Sequence, residues 1–395
     1  MRNMSACIAF VVVFRLSIWP AFAQETRTEQ IEEEKAAKAA SVQPASPETH
    51  MVSRIASFFL RQPPSVRLTL GDFRPAAGFA AGAAYLMPVV QTGLWTTKGA
   101  WSVNNFKQAG SAVKSPPLAG GRLELNTAIM WNDAPDLPFF GIGNNSSGRD
   151  ESSYGLRSIR AGAAADGRVI RWFRYGAYVG YLHSHSEEGA GPEPPIGEVF
   201  SEENIPGFGA SHSWLHASTY AAIDTRESPG YTRRGELYRV AFNRYSDPGG
   251  RFNFDLTEID LRQFIPLLHE NWVIALQGLA DITNSVRSQV IPYFMLPSLG
   301  GRDTLPGYPP YRFTDKNSLL VRSELRWAAS PLVDSALIFD QGMVASTPAD
   351  LSFQGMHREL GIGARFHGQT ITALRLEVFH SAEGWRYNVA KTVSF

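Results

Sequence analysis

The stretch Leu319–Trp327, with the sequence LLVRSELRW, decides the fold class. Apolar side chains occupy one set of alternate positions and charged side chains the other. The apolar positions are Leu319, Val321, Leu325 and Trp327, and the charged positions are Arg322, Glu324 and Arg326. Successive side chains of a β-strand point to opposite faces, so this segment predicts a strand with one apolar and one charged face.

The same alternation recurs elsewhere in the chain. It is found in Leu123–Trp131, in Trp272–Thr283 and in Leu374–Val378. A soluble β-sandwich alternates in the same way, because its strands also bury one face and expose the other. The alternation by itself therefore leaves a sandwich and a membrane barrel open.

Aromatic residues at the ends of the apolar faces favour the barrel. In one predicted strand Phe173, Tyr175 and Tyr181 stand around Ala177 and Val179. A barrel in lipid needs a wet interior, an apolar outer band and aromatic girdles at both interfaces. Beyond the first residues, no apolar run reaches the roughly 20 residues of a membrane-spanning helix. The sequence predicts an all-β, transmembrane antiparallel β-barrel.

The number of alternating segments sets the size of this barrel. We count about sixteen, an even number as in bacterial barrels. Fourteen remain if 66–73 is not a strand and if 92–114 is one long strand. Long connections are predicted at 133–152, 185–211, 284–316 and 344–356. All four fall on one rim, which is typical of the extracellular side of an outer-membrane barrel.

The first residues predict export. Residues 1–23 read as a signal peptide, with Arg2 before the apolar stretch Cys7–Phe14 and a small-x-small cleavage site ahead of Gln24. Cys7, the single cysteine, would be removed with it. Residues 24–64 are polar and predict a disordered linker with possible short helices. Residues 65–395 form the predicted barrel domain.

Composition and motifs bear on catalysis and partners. The chain has 37 basic and 37 acidic residues, so a basic surface for nucleic acid is not expected. Histidines cluster at His183-Ser184-His185 and near His212, but at strand ends and in loops, where polar residues are ordinary. No G-x-S-x-G elbow occurs. We expect no catalytic site, no metal site and no cofactor.

The predicted connection 284–316 carries the most specific motif. It contains a glycine pair, a short turn sequence and a second basic segment, and a strand with Glu324 and Arg326 follows it. The motif residues are Gly300, Gly301, Arg302, Leu305, Pro306, Gly307, Tyr308, Arg312 and Asp315. This pattern resembles the BamA/TamA superfamily of outer-membrane proteins, also called bacterial surface antigens. In that family a long sixth extracellular loop folds into the barrel lumen, and five strands follow it.

Two further landmarks support the resemblance. Asp340-Gln341-Gly342 is similar to the family's Asp-x-Gly, whose acidic residue receives an arginine of the loop inside the barrel. The alternation places Asp340 on the lumen face, with Leu337 and Phe339 facing lipid. Phe139–Asn144, in an earlier connection, also looks like short members of the family.

The chain departs from the family at the loop arginine. Pro306 stands where the family has arginine, so that position cannot supply a cation to Asp340. We predict that Arg302 or Arg312 supplies it instead. The alternative is that Asp340 faces water or the wall arginines Arg322 and Arg326.

A second departure concerns function and partners. Only about forty residues separate Gln24 from the first strand, too few for the periplasmic polypeptide-transport-associated domains of family members that insert or secrete proteins. Handling or presentation of a protein or lipid substrate, a passive pore, and an outer-membrane hydrolase stay open as functions. The resemblance implies outer-membrane lipid as surroundings and the barrel-assembly machinery as a partner during biogenesis, with the terminal Phe395 as its signal. A periplasmic protein is a further possible partner.

Overall fold

The computed structural model describes residues 65–71, 74–89, 92–267, 271–285, 289–330, 332–368 and 371–390. They form one sixteen-stranded antiparallel sheet and one two-stranded ribbon. The strands are β1 Ser65–Gly71, β2 Ala80–Val89, β3 Gly93–Ser102, β4 Lys107–Lys114, β5 Leu123–Phe139, β6 Ser152–Ile170, β7 Phe173–Glu188, β8 Ser211–Asp224, β9 Gly235–Ser246, β10 Phe254–Leu267, β11 Trp272–Asn284, β12 Ser298–Leu299, β13 Phe313–Thr314, β14 Asn317–Ser330, β15 Val333–Ala345, β16 His357–His367, β17 Thr372–Ser381 and β18 Gly384–Ala390. One short helix, α1, spans Ile196–Val199.

The predicted count of sixteen barrel strands is confirmed, and the alternative of fourteen is wrong. Segment 92–114 divides into β3 and β4, because the chain reverses at Asn105 with a φ of 62°. The amide of Phe106 donates to Oγ of Ser102 at 3.0 Å and closes this turn. Strand β1 is also present and pairs along its whole length with β2.

The connection predicted at 133–152 is shorter in the structure, because β5 continues to Phe139. Pro135 and Pro138 argue for an earlier end, since proline removes a ladder donor. The register shifts between Ala134 and Leu137, and this bulge accommodates the interruption before pairing with β6 resumes. The remaining connection covers 140–151.

The two faces of the sheet differ as the alternation predicts. On β14, Arg322 and Glu324 are each 1% exposed, whereas Leu325 and Trp327 are 37% and 46% exposed. On β7, Tyr175, Val179 and Tyr181 point outward in the same way. Large apolar side chains thus cover the outside, and polar and charged ones line the lumen. This is the arrangement of a barrel surrounded by lipid.

The connections are unequal at the two rims. Those covering 140–151, 189–210, 285–316 and 346–356 lie at one rim, which we call the loop end, as predicted. The opposite rim, the turn end, has shorter connections, such as 171–172 between β6 and β7. No helix in the described ranges is long and apolar enough to cross a membrane.

Buried aromatic and aliphatic side chains cover the loop end from inside. Phe139 and Tyr154 pack edge-to-face with Tyr293 of the long loop, with ring centroids 5.4 and 4.9 Å apart. Ile196 of α1 and Ile205 join the same cluster. We call this cluster the loop-end cap.

The sheet has two ends. Within the described residues β1 and β18 are its terminal strands, and neither pairs with the other. We call the gap between them the seam. Three predictions lie outside the described residues: the signal peptide, the 24–64 linker and the role of Phe395.

Candidate functional site

Residues 298–316, which precede β14, lie in the lumen and are held there by a small ribbon. Strands β12 and β13 pair through Ser298 with Thr314 and through Leu299 with Phe313. Leu305 and Tyr308 are buried with Leu299 and Phe313, against Leu320 and Val344 of the wall. We call residues 298–316 the lumen loop.

The predicted glycine pair shapes the turn of the lumen loop. Gly300 and Gly301 have φ values of +118° and +81°, a region that side chains strongly disfavour. A Cβ on Gly300 would lie 2.2 Å from the carbonyl oxygen of Pro309. The amide of Gly301 donates to the carbonyl of Tyr308 at 3.0 Å. Only glycine at position 300 therefore allows the two arms of the turn to approach this closely.

Gly307 fastens the tip of the loop to the barrel wall. Its amide donates to Oε2 of Glu359 on β16 at 2.7 Å, and its carbonyl accepts from Oγ of Ser381 on β17 at 2.7 Å. The hydroxyl of Tyr308 donates to the carbonyl of Arg358 at 3.1 Å. In the family that this sequence resembles, an arginine side chain attaches the corresponding loop. Here the attachment runs through the backbone of the residue that follows Pro306.

The prediction that Arg302 or Arg312 neutralises Asp340 is wrong. Nε of Arg322, directly opposite on β14, donates to Oδ2 of Asp340 at 3.0 Å. Arg312 pairs instead with Glu383 at 2.6 Å, and Nε of Arg302 lies 3.3 Å from Asp303. The alternative, an arginine of the barrel wall, is the one observed. Arg322 reaches Asp340 easily because the neighbouring strands β14 and β15 place the two side chains at the same level of the lumen.

Arg312 has a different role, at the loop end. Its guanidinium donates to Oγ and to the carbonyl of Ser146, at 3.0 and 2.8 Å. It also lies over the rings of Phe140 and Phe313, 5.0 and 4.6 Å from their centroids. Arg312 thus joins the lumen loop to the earlier connection that carries the Phe139–Asn144 motif.

Asn144 makes a second link of this kind. Its Oδ1 accepts from the amide of Val344 at 3.0 Å, and its carbonyl lies 2.8 Å from Nε2 of His357. The amide of Gly143 donates to the carbonyl of Thr314 in β13 at 2.8 Å. The motif therefore supports the lumen loop from the loop end.

The lumen wall below the loop is a ladder of buried ion pairs across β14, β16 and β17. Glu324 lies 2.7 Å from Arg326 and 2.6 Å from Arg365, and Glu377 lies 3.0 Å from Arg375. The side chain of Glu324 is fully buried. Buried charges need such partners, because an unpaired one is strongly destabilising.

Gly342 is placed for close packing. A Cβ there would lie 2.8 Å from Cδ1 of Leu299 in β12.

Asp315, at the end of the lumen loop, is buried, and burial raises the pKa of its carboxyl group. The amide of Lys316, which donates to it at 2.7 Å, opposes that rise.

Sequence reasoning missed the residues that attach the loop tip. Glu359 and Ser381 belong to no motif, yet each occupies a lumen-facing position of its strand. Alternation along β16 and β17 could have marked them as facing inward, but not as partners of Gly307. No group of three or more His, Cys, Asp or Glu in the described ranges could hold a metal ion.

We expect Ser381→Ala to loosen the loop tip. The change removes the donor to a buried carbonyl, a loss of about 1–3 kcal/mol. Amide hydrogen exchange at 300–310 should accelerate. Ser352→Ala, which removes an exposed hydroxyl bonded to the carbonyl of Gln354, is the control and should leave this exchange unchanged. Equal exchange in both variants would contradict the attachment.

Comparison with solved structures finds the same architecture. BamA from Haemophilus ducreyi lacking POTRA domains 1–3 superposes with a TM-score of 0.62 at 13% identity, over 86% of this chain and 77% of that one. CdiB from Escherichia coli gives 0.53 at 12% identity, over 84% and 61%, and CdiB from Acinetobacter baumannii 0.51 at 13%, over 79% and 56%.

This chain therefore spans less than two thirds of either CdiB. No family model and no curated protein sequence matches it. The likeness is one of fold, because identity is low throughout. The chain has the barrel fold that BamA and CdiB share.

Proposed function

We propose that this protein is an outer-membrane barrel that handles a protein or lipid substrate at the seam between β1 and β18. The observation that carries the proposal is that the described parts of β1 and β18 are not paired with each other, beside a lumen that the chain's own loop enters. A passive pore needs the opposite arrangement, an open lumen and a closed wall.

A cavity beside β18, one of the two strands that border the seam, supports this proposal. It has a volume of about 410 Å³ and lies between the lumen loop and β18. Arg302, Pro306 and Tyr308 line it from the loop, and Trp385 and Tyr387 from β18. These two aromatic side chains are 67% and 81% exposed, on the side that faces lipid. Arg386 and Asn388, which alternate with them on β18, also line the cavity. The cavity thus places the loop tip next to a strand that borders the seam, where a substrate passing between membrane and lumen would lie.

Location and partners follow from the same proposal. The apolar outer band suits a bilayer, and the likeness to BamA and CdiB favours the Gram-negative outer membrane, reached by signal-peptide-dependent export. Barrel-assembly machinery would insert the chain, and a periplasmic protein could deliver its substrate. We further propose that the protein is not an enzyme.

Insertion of a second barrel tests the proposal. Proteoliposomes with the protein should fold a urea-unfolded eight-stranded outer-membrane barrel faster than empty liposomes do. In a Cys7→Ser background, a bis-maleimide bridge between Leu68→Cys on β1 and Tyr387→Cys on β18 should abolish the gain. The control bridge joins Leu68→Cys to Ala83→Cys, which already pair in the β1–β2 hairpin.

Each alternative predicts a different result. A passive pore would conduct steadily in a planar bilayer and would not respond to the seam bridge. A hydrolase would release fatty acid from phospholipid vesicles or cleave a peptide. If the unbridged protein did not accelerate folding, this would count against a protein substrate. Transfer of labelled lipid between vesicles would then test whether the substrate is a lipid.

A further inference from the structure

A second cavity lies in the lumen, on the wall formed by β4 to β7 and below the loop-end cap. Its volume is about 470 Å³, within the range of small-molecule sites. Phe294 and Met295 of the long connection close it above, and Arg74 reaches it from the β1–β2 connection. It is separate from the seam and from the ion-pair ladder. We call it the β4–β7 cavity.

Strand register builds this cavity in levels. Gln108, Asn132, Ser158 and Ser184 are successive cross-strand partners and form one polar level. The next level toward the turn end contains Met130, Arg160 and Leu182. Arg160 is therefore flanked on both sides by apolar side chains, with amide and hydroxyl groups directly above it.

Arg160 is a cation without a counter-charge. No residue lining the cavity is Asp or Glu. Its guanidinium makes no hydrogen bond or ion pair with any residue that the structure describes. Arg160 is exposed to the lumen, whereas the buried arginines of the opposite wall, Arg322, Arg326 and Arg375, each face a carboxylate within 3.0 Å. The chain thus pairs its structural arginines and leaves this one available.

Small residues make room beneath Arg160. The level below it holds Ala128, Gly162 and Gly180. The side chain of Tyr178 lies over these glycines, and a Cβ on Gly162 would be 2.5 Å from its hydroxyl oxygen. That hydroxyl is buried and has no hydrogen-bond partner among the described residues. A buried donor without a partner is costly, so this hydroxyl would gain from an acceptor placed beside Arg160.

His216, which lies nearby, also has a buried polar atom without a hydrogen-bond partner. It is 6% exposed, its Nε2 lies 3.1 Å from Oδ1 of Asn243, and its Nδ1 has no partner in the described part of the chain. The Asn243 amide nitrogen donates to Glu258 at 2.9 Å, so Oδ1 is the acceptor for Nε2–H. Nδ1 is then the acceptor nitrogen of the neutral ring, and a hydroxyl group of a bound molecule can donate to it.

We propose that the β4–β7 cavity binds a phosphate or carboxylate group carried on a short apolar body. Arg160 would bind the oxyanion, with the hydroxyl of Tyr178 and the cation of Arg74 at its sides. Met130, Leu182 and Phe294 would contact the apolar part, and the amides of Gln108 and Asn132 would bind polar substituents. A free anion of the periplasm and the headgroup of a short lipid share this chemistry.

Phosphorus NMR on the full chain in nanodiscs of zwitterionic lipid tests this site. We expect n-hexyl phosphate to give saturable broadening, inorganic phosphate to compete weakly, and hexyltrimethylammonium to have no effect. Arg160→Gln should weaken hexyl phosphate at least tenfold, because a charge-assisted hydrogen bond is lost. Arg160→Lys should retain part of the affinity, and a circular dichroism spectrum unchanged from wild type shows that each variant is folded.

Lys98→Gln is the matched control. Lys98 is also a lumen cation with no partner among the described residues, but it does not line the cavity. Its loss should leave binding unchanged. Equal weakening in both variants would show that the positive electrostatic potential of the whole lumen attracts the ligand, and it would overturn the site. Full competition by hexanol, which carries no charge, would overturn it as well. Dihexanoyl phosphatidic acid binding more tightly than hexyl phosphate would identify a lipid headgroup as the source, and equal or weaker binding a free anion.

Discussion

Glu324→Gln should lower the free energy of unfolding by about 3 kcal/mol or more, since removing one partner of a buried ion pair leaves the others uncompensated. Glu324 lies between Arg326 at 2.7 Å and Arg365 at 2.6 Å, and all three side chains are buried. Glutamine keeps the shape of the side chain, so the loss reports charge rather than packing. Urea unfolding of the purified protein in phosphocholine micelles, followed by tryptophan fluorescence, measures it.

Glu124→Gln provides the matched comparison. Glu124 also faces the lumen and pairs with a cation, Lys114, at 2.9 Å, but the two side chains are 41% and 53% exposed. Exposed pairs contribute about 0–1 kcal/mol, because solvent screens them. If the two variants lost the same stability, the ladder of ion pairs would not be a main source of stability in this half of the barrel.

The barrel was predictable from the sequence because its two faces meet different solvents. Lipid outside and water inside enforce strict alternation, and both the strand count and the uneven rims follow from it. Strand ends were less predictable. Pro135 argued for a loop, but pairing with β6 continues beyond it through a bulge, and local sequence does not encode that long-range pairing.

The candidate site was predictable only in its parts. Glycines such as Gly300 signal positive φ, and alternation placed Asp340 in the lumen. Which arginine meets Asp340 depends on strand register, which set Arg322 opposite it and left Arg312 at the loop end. Glu359 was missed because it bonds to a backbone amide of a residue 52 positions away, and a backbone donor has no signature in sequence.

Gly300→Ala should release the lumen loop. Its φ of +118° is strained for alanine, by about 1–3 kcal/mol. The new Cβ would also lie 2.2 Å from the carbonyl oxygen of Pro309 and 2.8 Å from the amide of Arg312. Both atoms belong to the backbone, so no side-chain rotation relieves the contact. We expect the turn to open, trypsin to cleave after Arg302, and single-channel conductance to rise severalfold.

Gly209→Ala separates the effect of backbone strain at a positive φ from the effect of a steric clash with the new Cβ. Gly209 has a φ of +70° but no atom within 4 Å of a Cβ, so alanine there meets only the conformational cost. We expect it to match the unaltered protein in conductance and in cleavage by trypsin. If Gly300→Ala did the same, the lumen loop would not be what closes the lumen.

Gly300→Ala also decides by which path a substrate moves. Gly300→Ala opens the lumen without altering β1 or β18, whereas the bridge between Leu68→Cys and Tyr387→Cys closes the seam without altering the lumen loop. If folding of the second barrel takes place at the seam, the bridge abolishes it and Gly300→Ala cannot restore it in the bridged protein. Restoration would place the path through the lumen and would contradict the proposed function. The combination therefore tests the seam against the pore in one protein, with conductance and folding rate as independent readouts.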